Sequence, residues 1–94
     1  MAISDTFKAL NDPVRCEIIT ILKKGRMSVG EILEHFNVTG ATMSYHLNIL
    51  KNAGLVSDVK KGKYIYYELN ISVVEEIMTW FIRLKEDYDE QDNK

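Results

Sequence analysis

Cysteine is nearly absent from the sequence: Cys16 is the only one, and a single thiol cannot build an internal disulfide framework. No basic segment precedes a long apolar run, so neither a signal peptide nor a membrane span is expected, and the expected compartment is the cytosol (cytoplasmic). Repeats, low-complexity tracts and Ser/Pro-rich linkers are missing too. The 94 residues therefore read as one domain over 1–85, followed by an acidic tail, 86–94, expected to be frayed and solvated. Catalytic signatures are equally scarce. There is no Gly-rich phosphate loop, no H-E-x-x-H and no plausible Ser-His-Asp set, so an enzyme is not expected, and no cofactor is implied.

Positive charge is also in short supply. The net charge of -2 argues against a nucleic-acid partner until it is divided along the chain. Residues 1–38 hold five acids and five bases, 39–70 two acids and four lysines, and 71–94 seven acids and three bases. The positive excess is local to the middle.

What is present is dense punctuation around short apolar periods. Ile3, Phe7 and Leu10 mark a short first helix. Asn11-Asp12-Pro13 ends it and starts the next, with Asp12 as N-cap and Pro13 at the first helical position, where a missing N–H costs nothing. Val14, Ile18, Ile21 and Leu22 form the inner stripe of that second helix, which Gly25 ends. Ser28 and Glu31 make a capping box for a third helix packing Val29, Ile32, Leu33 and Phe36. Asn37-Val38-Thr39 is a three-residue turn into a fourth helix, and the pair makes a helix-turn-helix candidate. After Gly54 the period changes to alternation. Val56–Val59 and Tyr64–Leu69 read as strands around a Lys60-Lys61-Gly62-Lys63 tip, a wing. Asn70 or Ser72 caps a last helix. The fold class is mainly α with a small β-hairpin, a winged helix-turn-helix.

Three stretches, "LNDPVRCEIITIL" (10–22), "HFNVTGATMSYHLNILKNAGLV" (35–56) and "KKGKYIYYEL" (60–69), resemble the arsenic-repressor (ArsR) family of bacterial winged-helix repressors, and within it the SdpR-like autorepressor group. The likeness runs to about residue 82. It implies a five-helix winged-helix dimer that represses its own operon, and a protein partner, such as a membrane protein, that releases it from DNA.

The fourth helix has two faces. With Met43 at zero and about 100° per residue, Leu47 falls near 40° and Leu50 near 340°, a core stripe; His46, near 300°, is expected to be structural and to hydrogen-bond across the turn. Ala41, Tyr45 and Asn48 lie opposite, with Ser44 on the flank. Such residues on an arbitrary helix are simply solvated. Here Gly40 and Ala41 leave the first turn uncluttered, so that backbone N–H groups can meet a phosphate and the turn can enter a major groove. Ser44 and Asn48 offer donors and acceptors to base edges, Tyr45 reaches a phosphate or a thymine methyl, and Thr39 and Thr42 sit at the same end. The family often carries Arg where Tyr45 stands, so a different operator is expected.

A Lys-rich hairpin tip by itself reads as a soluble turn that blunts a sheet edge. Directly after a reading helix, Lys60, Lys61 and Lys63 become candidate phosphate contacts, with Lys51 on the same side. For Tyr64 and Tyr66, contact with the duplex and packing on the outer strand face both stand open.

Metal sensing, common among the relatives the resemblance suggests, lacks its ligands: the third helix has Gly30-Glu31-Ile32-Leu33 instead of thiolates, and the last offers Glu75, Glu76 and Thr79 instead of His and Asp. No metal is expected. Cys16 reads as a small buried hydrophobe rather than a redox switch. On the last helix Val73, Val74, Ile77, Met78, Trp80, Phe81, Ile82 and Leu84 span an apolar arc of about 200°, wider than the roughly 100° one core needs. A homodimer interface built from Ile3, Phe7, Val74, Ile77, Met78, Phe81 and Ile82 is expected to cover the surplus. The functional reading is a dimeric repressor on double-stranded, inverted-repeat operator DNA. The alternative is a winged helix that binds proteins, an antirepressor or adaptor, without touching DNA.

Overall fold

Three of the helices begin where a side-chain oxygen accepts from their first free N–H groups. In the computed structural model, which describes residues 3–92, α1 spans Ile3–Leu10 and α2 spans Pro13–Ile21. Asp12, in extended backbone, accepts at Oδ1 from the N–H of Val14 (2.8 Å) and of Arg15 (3.1 Å). A 3-10 turn, Leu22–Lys24, closes α2. Ser28 then serves twice. It lies in β1 (Met27–Ser28) and caps α3 (Val29–Leu33) through the expected box, its Oγ accepting from Glu31 N–H while Glu31 accepts from Ser28 N–H. These bonds, the one to the Ser28 backbone first, hold the Glu31 carboxyl below its ordinary value. Next come α4 (Gly40–Asn52), β2 (Val56–Lys61), β3 (Tyr64–Leu69) and α5 (Ile71–Asp92).

The sheet is antiparallel with order β1-β3-β2. The expected hairpin forms with β2 running past Val59 to Lys61, and β1, joined to β3 through Met27↔Tyr67 and Ser28↔Tyr66, adds a third strand that no alternating pattern marks. The core gathers residues from all five helices and the two long strands: Ala9 of α1, Ile18 of α2 with Leu22, Ile32 of α3, Met43, Leu47 and Leu50 of α4, then Leu55, Val56, Tyr67 and Val73. Burial pushes the Tyr67 phenol above its ordinary value.

Three expectations differ from the structure. The third helix stops at Leu33, and half-buried Phe36 and Val38 pin the connection to α4 from outside any helix. The segment 86–92, expected to be frayed, is helical and continues α5. Nothing between Ile71 and Asp92 breaks a helix, and a Lys85 Nζ–Asp89 Oδ2 ion pair of 2.7 Å bridges one turn of its exposed end. Asn93 and Lys94, also assigned to that tail, lie outside the described residues. Cys16 is exposed rather than buried, and its Sγ–H donates to the Leu10 carbonyl (3.0 Å) at the open end of α1.

The Asp12 cap carries a pH signature. The Arg15 backbone bond chiefly, and the Val14 bond after it, hold its carboxyl below the ordinary 3.8 against the opposing pull of burial. A depressed folded value means that the charge stabilises the fold above the unfolded pKa and stops doing so as pH falls through the folded one. Asp12→Ala should cost about 1 kcal/mol at neutral pH and Asp12→Asn much less. Urea unfolding of wild type and Asp12→Asn across a pH series should show any wild-type margin disappearing in acid; a margin that grows in acid would contradict this assignment.

Candidate nucleic-acid interface

The fourth helix is positioned from both ends. At its start Thr39 Oγ1 accepts from Thr42 N–H (3.1 Å) and donates to Thr42 Oγ1 (3.0 Å). At its end Gly54, at φ 79, takes the left-handed conformation, with Gly54 N–H on Lys51 O (2.9 Å) and Leu55 N–H on Leu50 O (3.0 Å). This is a Schellman closure, and it turns the chain straight from α4 into β2.

Between those ends the two faces fall as the helical angles require. Met43, Leu47 and Leu50 are fully buried, whereas Gly40, Ala41, Thr42, Ser44, Tyr45 and Asn48 are exposed. A side chain at Gly40 would meet nothing within 4 Å, so the helix start is open space. Tyr45 is 61% exposed and stands edge-on to the His46 ring at 5.5 Å.

His46 is structural, as expected, but its partner is not across the turn. Only 8% exposed, it places Nδ1 3.1 Å from Nη1 of Arg15 in α2. The Arg15 side chain is itself 11% exposed; its Nε donates to the Ala9 carbonyl (2.6 Å), and Nη1 lies 4.0 Å from Asp12 Oδ2. Arg15 is the residue that sequence reasoning missed. The one available signal was an arginine inside an otherwise apolar α2 stripe, next to a cap.

In the wing, pairing runs to Lys61↔Tyr64 and leaves Gly62-Lys63 as a two-residue turn, with Gly62 at φ 61. A positive φ at only the first central position fits a type II′ turn. Lys60, Lys61 and Lys63 are exposed. Because β2 extends to Lys61, however, Lys60 and Lys61 leave opposite faces of the ribbon, and all three lysines do not share one side. Lys63 Nζ sits 5.6 Å over the Tyr64 ring, which is 54% exposed, while Tyr66 is half-buried. Lys51 is not free. Its Nζ pairs with Asp58 Oδ2 of β2 at 3.1 Å and so ties the helix to the wing.

Residues 12–58 match the model of the bacterial regulatory proteins of the arsR family. The transcriptional repressor SdpR of Bacillus subtilis is 46% identical over 79 residues, 84% of this chain and 88% of that protein. The chain belongs to the ArsR family. The arsenical resistance operon repressor of the same bacterium is 43% identical over 65 residues, 68% of this chain and 62% of its own length. Among solved structures, an ArsR-like transcriptional regulator from Rhodococcus aligns with a TM-score of 0.83 at 28% identity, covering 94% of this chain and 83% of that one. Reduced HlyU from Vibrio cholerae aligns with a TM-score of 0.72 at 27% identity, covering 87% and 86%. Membership of this ArsR family makes the chain a regulatory protein rather than an enzyme.

The α1 and α5 face of this ArsR protein is open. Phe7 meets Trp80 and Phe81 edge-on, both at 6.0 Å, and Trp80 and Phe81 meet at 5.1 Å. Around them Met78, Ile82 and Leu84 are each about half exposed, while Ile3, Val74 and Ile77 are partly covered. The accessible surface is 6608 Å², against roughly 5,600 Å² for a compact monomer of this mass. The metal position of some ArsR relatives is a poor fit here. On α5, Glu75 and Glu76 share a shallow hollow with Ser72, Thr79, Trp80 and Arg83, so the donors are hard carboxylates beside a guanidinium. Among the described residues no three His, Cys, Asp or Glu side chains cluster to hold an ion.

The Lys51–Asp58 pair has a consequence for DNA affinity. Asp58→Asn frees the Lys51 ammonium and removes a negative charge from the wing. Binding to duplex DNA should tighten at low salt, and the slope of log affinity against log salt should steepen by up to about 0.9, one phosphate contact. A salt series of fluorescence-anisotropy titrations measures both, and an unchanged slope would mean that Lys51 does not face the backbone.

Proposed function

We propose that the chain is a transcriptional repressor that binds an inverted-repeat operator as a homodimer, acts in the cytoplasm, represses its own operon and is not governed by a metal ion. The observation that carries this reading is the bare, exposed first turn of α4 with Ser44, Tyr45 and Asn48 facing outward, joined rigidly to a lysine-tipped wing. In this reading Thr39, Gly40, Ala41 and Thr42 approach phosphates and Ser44, Tyr45 and Asn48 meet bases. Lys60, Lys61 and Lys63 hold the backbone, with Lys51 released to join them. The two Bacillus subtilis relatives, a transcriptional repressor and an arsenical resistance operon repressor, agree with it. Autorepression and release by a partner protein, including a membrane protein, rest on the sequence resemblance alone. No described helix is long and apolar enough to cross a membrane.

The test separates reading from holding. Asn48→Ala or Ser44→Ala should cost on the order of 1 to 3 kcal/mol on a duplex carrying the inverted repeat from the gene's own upstream DNA, and much less on a scrambled duplex. Lys61→Ala should weaken both duplexes alike and flatten the salt dependence by about 0.9. If Asn48→Ala and Lys61→Ala both keep the wild-type specificity ratio and slope, α4 is not the reading head and the protein-binding alternative takes first place.

The open α1 and α5 face should be covered by a second copy, through Ile3, Phe7, Val74, Ile77, Met78, Phe81 and Ile82. Light scattering at micromolar concentration should give twice the chain mass, and Phe81→Glu should return it to one; a stable wild-type monomer would refute this. Zinc titration followed by calorimetry should reveal no stoichiometric submicromolar site and no loss of operator affinity, given the carboxylate-only donors on α5.

A further inference from the structure

We propose that Arg15 is a positioning residue for the reading helix: it bonds the end of α1 and His46 of α4 together and thereby fixes the setting of α4 relative to the helix that carries part of the dimer face. The proposal rests on the repressor reading above.

The chemistry of the junction gives the reason. The apolar stripe of α4 holds it against the core by contacts that have no preferred direction, so Met43, Leu47 and Leu50 alone leave small slides and rotations inexpensive. Directional bonds are what remove that freedom. Arg15 supplies two of them from one rigid plane, Nε to the Ala9 carbonyl at 2.6 Å and Nη1 to His46 Nδ1 at 3.1 Å. A lysine has one nitrogen and cannot reproduce that fork.

Both acceptors are specific. α1 ends at Leu10, so the Ala9 carbonyl lies in the last turn, where carbonyls lack an intrahelical partner and the helix dipole favours a cation. A guanidinium has donors only, so this bond assigns His46 Nδ1 as the acceptor and the ring N–H to Nε2. The nearest carboxylate oxygen, on Asp12, is 4.0 Å away. A half-buried cation is costly unless hydrogen-bonded, and here the hydrogen bonds run to two neighbouring helices while Asp12 stands by as a longer ion-pair partner.

The two ends of the bridge touch the two functional faces. Two residues before Ala9, Phe7 packs against Trp80 and Phe81. One residue before His46, Tyr45 meets the His46 ring and faces outward. The order of half-sites a dimer accepts depends on how each reading helix is set against the two-fold axis. Arg15 is placed where that setting is decided.

The experiment uses the full chain and four variants. Arg15→Gln, Arg15→Lys and His46→Leu break the bridge, while His46→Asn keeps an acceptor near the Nδ1 position. Each is titrated on the operator, on a scrambled duplex, and on operators whose half-sites are moved by one base pair inward or outward. Arg15→Gln, Arg15→Lys and His46→Leu should lose operator affinity by roughly ten-fold or more, the scale of a lost base contact. They should keep scrambled-duplex affinity and accept altered spacings that wild type rejects; His46→Asn should restore most of the discrimination. A residue that only stabilises the fold would lower the melting temperature and leave the specificity ratio and spacing optimum untouched, and that result in Arg15→Lys overturns the proposal. Two DNA-free readouts decide the matter if wild type itself fails to prefer the operator, which would sink the repressor reading instead. Nitrogen chemical shifts should place the His46 proton on Nε2, and amide exchange in Arg15→Lys should speed up in α4 more than in α2. A proton on Nδ1, or unchanged α4 exchange, refutes the bridge.

Discussion

Met43, Leu47 and Leu50 are fully buried, and the molecule is arranged around keeping them so. Their burial removes apolar area at roughly 25 cal/mol per Å², which fixes which side of α4 turns inward and therefore which side turns out. Helical geometry does the rest: with one stripe committed to the core, Ala41, Tyr45 and Asn48 have nowhere to point but away from it. Every element contributes to the pocket that receives the stripe. The wing is hung from the same helix by the Gly54 closure at one end and by the Lys51–Asp58 pair further along.

Much of this was legible because it is local. α4 announces itself through a threonine cap, a 3.6-residue apolar period and a glycine stop, all within sixteen residues. The hairpin follows from alternation around Gly62, and the α2 and α3 starts from Asp12 and Ser28. What escaped depends on residues far apart in the chain. β1 is two residues long and exists only because Tyr66 and Tyr67 arrive beside it. Arg15 and His46 are 31 positions apart, and no periodicity records their bond. The pairing of Lys51 with Asp58 removes a cation that composition alone makes available. Cys16 was misjudged because its helix stripe suggested a hydrophobe, whereas its thiol serves the open end of α1. The expectation of autorepression came from family resemblance alone, whereas that of a dimer also had a pattern behind it, the wide apolar arc of the last helix.

Charge is distributed with the same division. The chain is acidic overall, yet the wing tip holds three lysines in four residues, while α5 carries seven of the fourteen acids. A polyanion approaching α5 is repelled, and one approaching the wing is attracted, so the net charge describes solubility and the local charge describes orientation. The exposed end of α5 extends this asymmetry well beyond the core: the molecule measures 59 Å along its longest axis and 24 Å and 22 Å across the others.

Two of the outward residues of α4, Ser44 and Asn48, stand apart from the rest of the described fold. Among the described residues neither the Ser44 nor the Asn48 side chain hydrogen-bonds to another part of the chain, and both sit on a helix whose stability is set by the opposite face. Exchanging them therefore costs little in folding free energy, of the order of the few tenths of a kcal/mol typical of surface positions. Mutational drift at these two positions can sample new base preferences without first passing through an unfolded intermediate. A duplicated copy of the gene is thus free to diverge toward a different operator while its scaffold stays intact.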